Sequence, residues 1–251
     1  MTDAYHLAEK IPIIVVLGGG LLDVVLKQGK MPLTTSQKTQ ESEQLLDLEQ
    51  SRYFYAGRAH PDFGDMAVAY RAREEESFRG GATPFDTGAV AKGYIHPFKS
   101  LDEDMRQSRG RALVSATEVE LHTWRNHFEG FLDGLFDAPV DYIKGEPPLE
   151  EADWGPEDLP ARHRANVEDP DVDWRAWSWE IRFHETHDLP SELGAVACST
   201  SMEAELEERA PRSALPVTSD PVVDLVMAIT IVEDDASEAY RRLEDRIKEM
   251  I

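Results

Sequence analysis

The longest continuous apolar run, Ile11 to Leu17, ends at three glycines, and Asp23 breaks the apolar residues beyond them. The stretch IPIIVVLGGGLLDVVL therefore reads as two short strands, or a strand and a helix, joined by a glycine turn, behind a short N-terminal helix. A polar segment follows, with Thr34, Thr35 and Ser36 in a loop ahead of a helix around Thr39 to Leu48. Three aromatics in a row, Tyr53, Phe54 and Tyr55, predict a strand that Gly57 to Pro61 ends. GDMAVAYRAR continues as a strand or short helix, and Glu74 to Glu76 form a solvated turn. The segment GGATPFDTG, with its hydroxyls and tight turns, reads as a loop.

From Leu101 to Phe136 the period lengthens to that of a helix. Leu121, Trp124, Phe128, Phe131 and Leu135 fall on one stripe. A polar, proline-rich stretch from Lys144 to Asp171 is expected to be a long loop or lid. Alternation then returns around Trp177, Trp179, Ile181 and Phe183, which predicts a strand. GAVACST, a short helix near Glu203 to Arg209, a strand in PVVDLVMAITIVED and an amphipathic helix from Ala236 to Met250 complete the pattern. The sum is one α+β domain over residues 1–251, its strands in two clusters with helices between them.

Composition narrows the function classes. No apolar run reaches the length of a membrane span, and the first residues carry acids and His6, unlike a secretory leader, so a cytoplasmic protein is expected. The single cysteine, Cys198, excludes an internal disulfide and a multi-cysteine zinc site, and GAVACST suits a small buried residue. The formal net charge of -23, with acids spread along the chain, disfavours a large nucleic-acid footprint. Arginine outnumbers lysine by 18 to 8, a bias that a high-salt or GC-rich source also produces.

Several motifs drop out on spacing. GGG lacks the third glycine and the following acid of a dinucleotide fingerprint, and neither a P-loop nor a G-x-S-x-G elbow occurs. In HETHD, His184 and His187 would face opposite sides of a strand, and His122 and His127 lie on different faces of a helix. No metal site is predicted, and His96 reads as a turn residue. What remains is Glu180. Strand alternation turns Trp177 and Trp179 one way and Ser178 and Glu180 the other, leaving a weakly solvated carboxylate that interacts strongly with positive charge developing nearby.

An aromatic strand ending in FYAGRAHP, the loop ATPFDTG and WSWEIRFHETHDLPSELGAVACS occur here in the order that resembles the ADP-ribosyltransferase-like family, across Arg52 to Ser201. That resemblance implies a split mixed sheet with flanking helices and an enzyme that consumes NAD as co-substrate, a transferase or glycohydrolase of toxin or defence type. It implies Glu180 as the catalytic carboxylate that holds a ribose hydroxyl and stabilises an oxocarbenium-like sugar. Arg58 or His60 would grip the dinucleotide, with Arg58 on the pyrophosphate, Thr83 and Thr87 would supply hydroxyls, and Tyr55 or Phe85 would stack on nicotinamide. Ser178 stands where arginine-modifying members carry Glu or Gln, and the second motif is not S-T-S, so the acceptor, protein or small molecule, stays open. An inhibitory partner protein also fits such an effector. The alternative is an acidic binding or immunity module that docks on a basic partner, with WRAWSWE as aromatic hot spots. In that case the tryptophans would be exposed and the site residues scattered.

Overall fold

Ile13–Leu17, the apolar run ahead of the glycines, is a strand buried along its whole length. It lies inside a sheet and meets other chain on both faces. The computed structural model describes residues 10–18, 25–28, 30–34, 36–71, 79–95, 98–146, 149, 178–188, 193–209, 211, 224–225 and 227–251. Its strands are β1 (Ile13–Leu17), β2 (Lys30–Met31), β3 (Arg52–Ala56), β4 (Met66–Tyr70), β5 (Gly80–Thr83), β6 (Val119–Glu120), β7 (Glu180–Phe183), β8 (His187–Asp188), β9 (Leu193–Ser199) and β10 (Ile229–Glu233). Its helices are α1 (Gln37–Leu46), α2 (Thr87–Lys92), α3 (Glu103–Thr117), α4 (Trp124–Leu135), α5 (Pro139–Lys144), α6 (Thr200–Arg209) and α7 (Ala236–Met250).

Eight strands form one sheet in the order β10-β9-β4-β1-β3-β7-β5-β6, and β2 pairs separately with β8. The pairs are antiparallel except β9 with β10, which makes the sheet mixed. The protein is thus a mixed α+β fold with an eight-stranded sheet and flanking helices. Both clusters of strands expected from the sequence join that one sheet. None of the described helices is long and apolar enough to cross a membrane.

The helical stretch expected from Leu101 to Phe136 is two helices, α3 and α4, separated by β6. The break falls at Glu118, the C-cap of α3, whose backbone turns to extended geometry, and Val119 and Glu120 then pair with β5. The expected stripe holds: Leu121, Trp124, Phe128, Phe131 and Leu135 are all buried. With Trp179 and with Tyr142 of α5 they make an aromatic layer, in which Trp179 meets Phe128 and Phe131 at centroid distances of 5.4 and 5.7 Å. Each such ring contributes roughly 1.5–3 kcal/mol by leaving water. Cys198 is buried in β9.

A second, smaller core joins α1, α2 and α3 through Leu46, Phe85, Val90, Phe98, Leu113 and Val114. The stretch GGATPFDTG, read as a loop, divides between structures. Gly80–Thr83 is the strand β5, held between β7 and β6, and Thr87 opens α2. Asp86 caps α2 by accepting from the Ala89 N–H, and Gly93, at φ 70°, ends it in the left-handed conformation that glycine adopts without strain. Among the described residues, the strand expected in PVVDLVMAITIVED is Ile229–Glu233. The amphipathic C-terminal helix forms as expected and packs on β9, β10 and α5.

Candidate functional site

Glu180 pairs in register with Tyr55 on one side and Thr83 on the other, so three adjacent strands bring these residues into one row. Alternation along the strands puts Tyr53 and Arg182, another register pair, on the same face, with Gly81 beside Arg182. Trp179 turns to the opposite face and enters the aromatic layer. On the Glu180 face the sheet meets α1, α2 and their second core, and between the two lies a buried polar layer.

Glu180 is only 1% exposed. Its carboxyl accepts the Thr87 hydroxyl at 2.7 Å on Oε1 and the Thr87 N–H at 3.1 Å on Oε2, so the first residue of α2 holds both oxygens. Arg182, wholly buried, brings its Nε to 3.5 Å from Glu180 Oε1 and pairs through Nη2 with Glu118. Gly81 makes room for that second contact, since a Cβ there would stand 2.5 Å from Glu118 Oε1. Arg182 Nε and Nη1 make no hydrogen bond among the described residues. Farther along the layer, Glu43 of α1 accepts from the Tyr53 hydroxyl at 2.9 Å and from the Ser51 N–H at 3.0 Å.

Glu180 and Glu43 thus share the charge of one fully buried guanidinium, that of Arg182, while a third buried carboxyl, Asp86, acts on Glu180. Burial and then the neighbouring Asp86 push Glu180 up to about 8, against the Arg182 charge and the Thr87 hydrogen bonds. Burial likewise raises Asp86, opposed by the Ala89 N–H and by Lys92, and raises Glu43, opposed by Tyr53. Tyr55 is held well above its ordinary value by burial and then by the neighbouring Asp86 and Glu180. Asp86 Oδ1 accepts from Ala89 at 2.8 Å, whereas Oδ2, also buried, has no partner among the described residues. Leaving such an oxygen unsatisfied costs roughly 1–3 kcal/mol.

The residues singled out in the sequence are distributed unevenly. Tyr55, Thr83, Thr87 and Glu180 meet in the polar layer. Phe85 offers its carbonyl to the Thr83 hydroxyl at 3.0 Å, but its ring is buried in the second core. His60 is half-buried at the rim, where its charge acts on Asp86 and its ring leans on Phe63, which stacks on Tyr55 with centroids 5.2 Å apart. Arg58 lies elsewhere. Its guanidinium packs over the Tyr142 ring at 4.0 Å, donates to the Tyr142 carbonyl, and donates from Nε to Ser178 Oγ at 3.3 Å. Arg58→Ala is therefore expected to destabilise the fold by roughly 2–4 kcal/mol, through lost packing and unsatisfied acceptors, which a urea melt measures.

Of the residues that sequence reasoning missed, Arg182 was within reach, because it follows Glu180 by two positions and so shares its strand face. Asp86 had a helix-cap signal, since an aspartate precedes the apolar run of α2. Glu43 had none, as its role depends on how α1 docks. Trp179 is fully buried and offers no contact surface to a partner. Trp177, His96, the Glu74–Glu76 turn, the short helix expected ahead of Lys10 and most of the loop or lid expected over Lys144 to Asp171 lie outside the described residues. Among the described residues no three His, Cys, Asp or Glu side chains gather as a metal site would require. Comparison with known proteins adds no relative: no family model, no curated protein and no solved structure matches the chain.

Proposed function

We propose that this chain consumes NAD by cleaving the bond between nicotinamide and ribose, as an ADP-ribosyltransferase or NAD glycohydrolase with an ADP-ribosyltransferase-like sheet. The observation that carries this reading is the buried layer around Glu180, where carboxyls outnumber the guanidinium and hydroxyls of Thr83, Thr87 and Tyr55 stand beside them. The nicotinamide ring of NAD is a cation. When its bond to ribose breaks, the electron pair goes to the ring nitrogen and positive charge moves onto the sugar. A carboxylate excluded from water stabilises that charge more strongly than one in solvent, because little dielectric screening intervenes. Hydroxyls beside it suit the ribose. At the rim, half-buried His60 and exposed Lys92, both of which act on Asp86, suit the phosphates.

In the free protein Glu180 keeps its proton at neutral pH, since burial holds it up to about 8. A pyridinium brought beside it favours the ionised form, so the proton leaves as the ligand binds. Only the carboxylate stabilises the sugar cation. The value of kcat/KM for nicotinamide release is therefore expected to rise with pH and to level off above about 8, because this quantity reports the ionisations of the free protein. The test is nicotinamide release from NAD by the purified chain across that range. A profile that is flat, or that falls with rising pH, removes Glu180 as the ionised group, and no release at any pH overturns the NAD reading.

A further inference from the structure

Glu180 accounts for the sugar's charge, but the second carboxyl of the layer has no part in that account. Asp86 is 3% exposed, and its Oδ1 is spent on the cap of α2. Capping needs one oxygen, which serine, threonine or asparagine would supply without burying a charge. The other oxygen, Oδ2, is buried and accepts nothing among the described residues. Its surroundings run from Glu180 and the Tyr55 hydroxyl within to His60 and Lys92 at the rim. A carboxylate oxygen left open beside a second carboxyl is where a general base belongs.

We propose that Asp86 is the general base of the reaction at Glu180, its open Oδ2 taking the proton of an attacking water, so that the chain is a hydrolase of NAD and not a transferase. This rests on the NAD reading above. The water oxygen bonds to the ribose carbon that carried nicotinamide. The carbon–nitrogen bond breaks with its electron pair moving to the ring nitrogen, and nicotinamide leaves neutral. One water proton passes to Asp86 Oδ2 and on to solvent, so the products are ADP-ribose, nicotinamide and a proton. The two carboxyls divide the work because their surroundings separate them. Glu180 has both oxygens held by Thr87, whereas Asp86 spends only Oδ1 on the helix cap and keeps Oδ2 to take a proton.

Asp86→Asn tests this with little change of shape, since the amide oxygen still caps α2. With the wild type releasing nicotinamide and free ADP-ribose, the variant is expected to lose about 10²–10⁴-fold of that rate. Added azide needs no deprotonation, and is expected to restore nicotinamide release in the variant with azido-ADP-ribose as product. Asp86→Ser, which caps but carries no base, is expected to behave alike, and thermal melts check that both variants fold. A variant rate within about threefold of wild type, or a folded variant that azide does not restore, overturns the role of Asp86 while the NAD reading stands. ADP-ribose found attached to a protein instead of free overturns hydrolysis. A wild type that releases no nicotinamide overturns the parent reading and this role together.

Discussion

Glu180→Gln is expected to lower nicotinamide release from NAD by about 10³-fold or more, and to raise the melting temperature at alkaline pH. The amide keeps the size of the carboxyl, and its oxygen still accepts from Thr87, which donates to both carboxyl oxygens of the native side chain. What it loses is the negative charge that the sugar cation requires. The effect on stability has the opposite sign. Glu180 titrates at about 8 when folded, against 4.5 for an ordinary glutamate. Between these values the unfolded chain has lost a proton that the folded chain retains, so native stability falls as pH rises through that window. Glutamine has no proton to lose. The variant is therefore expected to melt several degrees higher than wild type near pH 9 and about equally below 4.5. Scanning calorimetry at both pH values checks the second half. Near wild-type turnover by the variant would sink the assignment of Glu180.

Gly80→Ala is expected to cost more than about 3 kcal/mol, or to prevent folding, as measured by urea denaturation. Gly80 pairs in register with Phe183, and an added Cβ would stand 1.9 Å from the Arg182 carbonyl oxygen and 2.8 Å from Leu121 Cδ1. The first clash is with backbone, which no rotamer change relieves. Relief requires β5 to lift from β7, and that carries Thr83, Asp86 and Thr87 away from Glu180. Any variant protein that folds is expected to lose NAD turnover along with stability. A variant as stable as wild type would show that β5 does not approach β7 as closely as described.

Much of this arrangement was legible in the chain, for reasons that are local. Alternation in WSWEIRF put Trp179 and Glu180 on opposite faces whatever they met there. The stripe from Leu121 to Leu135 and the amphipathic pattern of α7 follow from the helical period alone. Where local pattern misled, a partner elsewhere decided. GGATPFDTG has the composition of a loop, yet Gly80–Thr83 is a strand because β7 and β6 lie on either side to accept it. The helical stretch from Leu101 to Phe136 breaks at Glu118 because β5 is there to pair with Val119 and Glu120. For Arg58 the fork was legible but its surroundings were not: it meets the carbonyl and ring of Tyr142, which lies 84 residues further along.

The sequence by itself determined which residues are apolar, how they repeat and therefore which faces must be buried, since periods of two and 3.6 are properties of the backbone. It also placed a carboxylate directly after Trp179, whose burial leaves Glu180 on the other side of the strand. Only the tertiary structure decided what that carboxylate would meet. Strand order set Tyr55 and Thr83 beside it, α2 supplied both hydrogen bonds of Thr87, and the helices on that face buried the layer. Exclusion of water raises Glu180 so far above an ordinary glutamate. Desolvation depends on everything around a group at once, which no stretch of chain encodes alone.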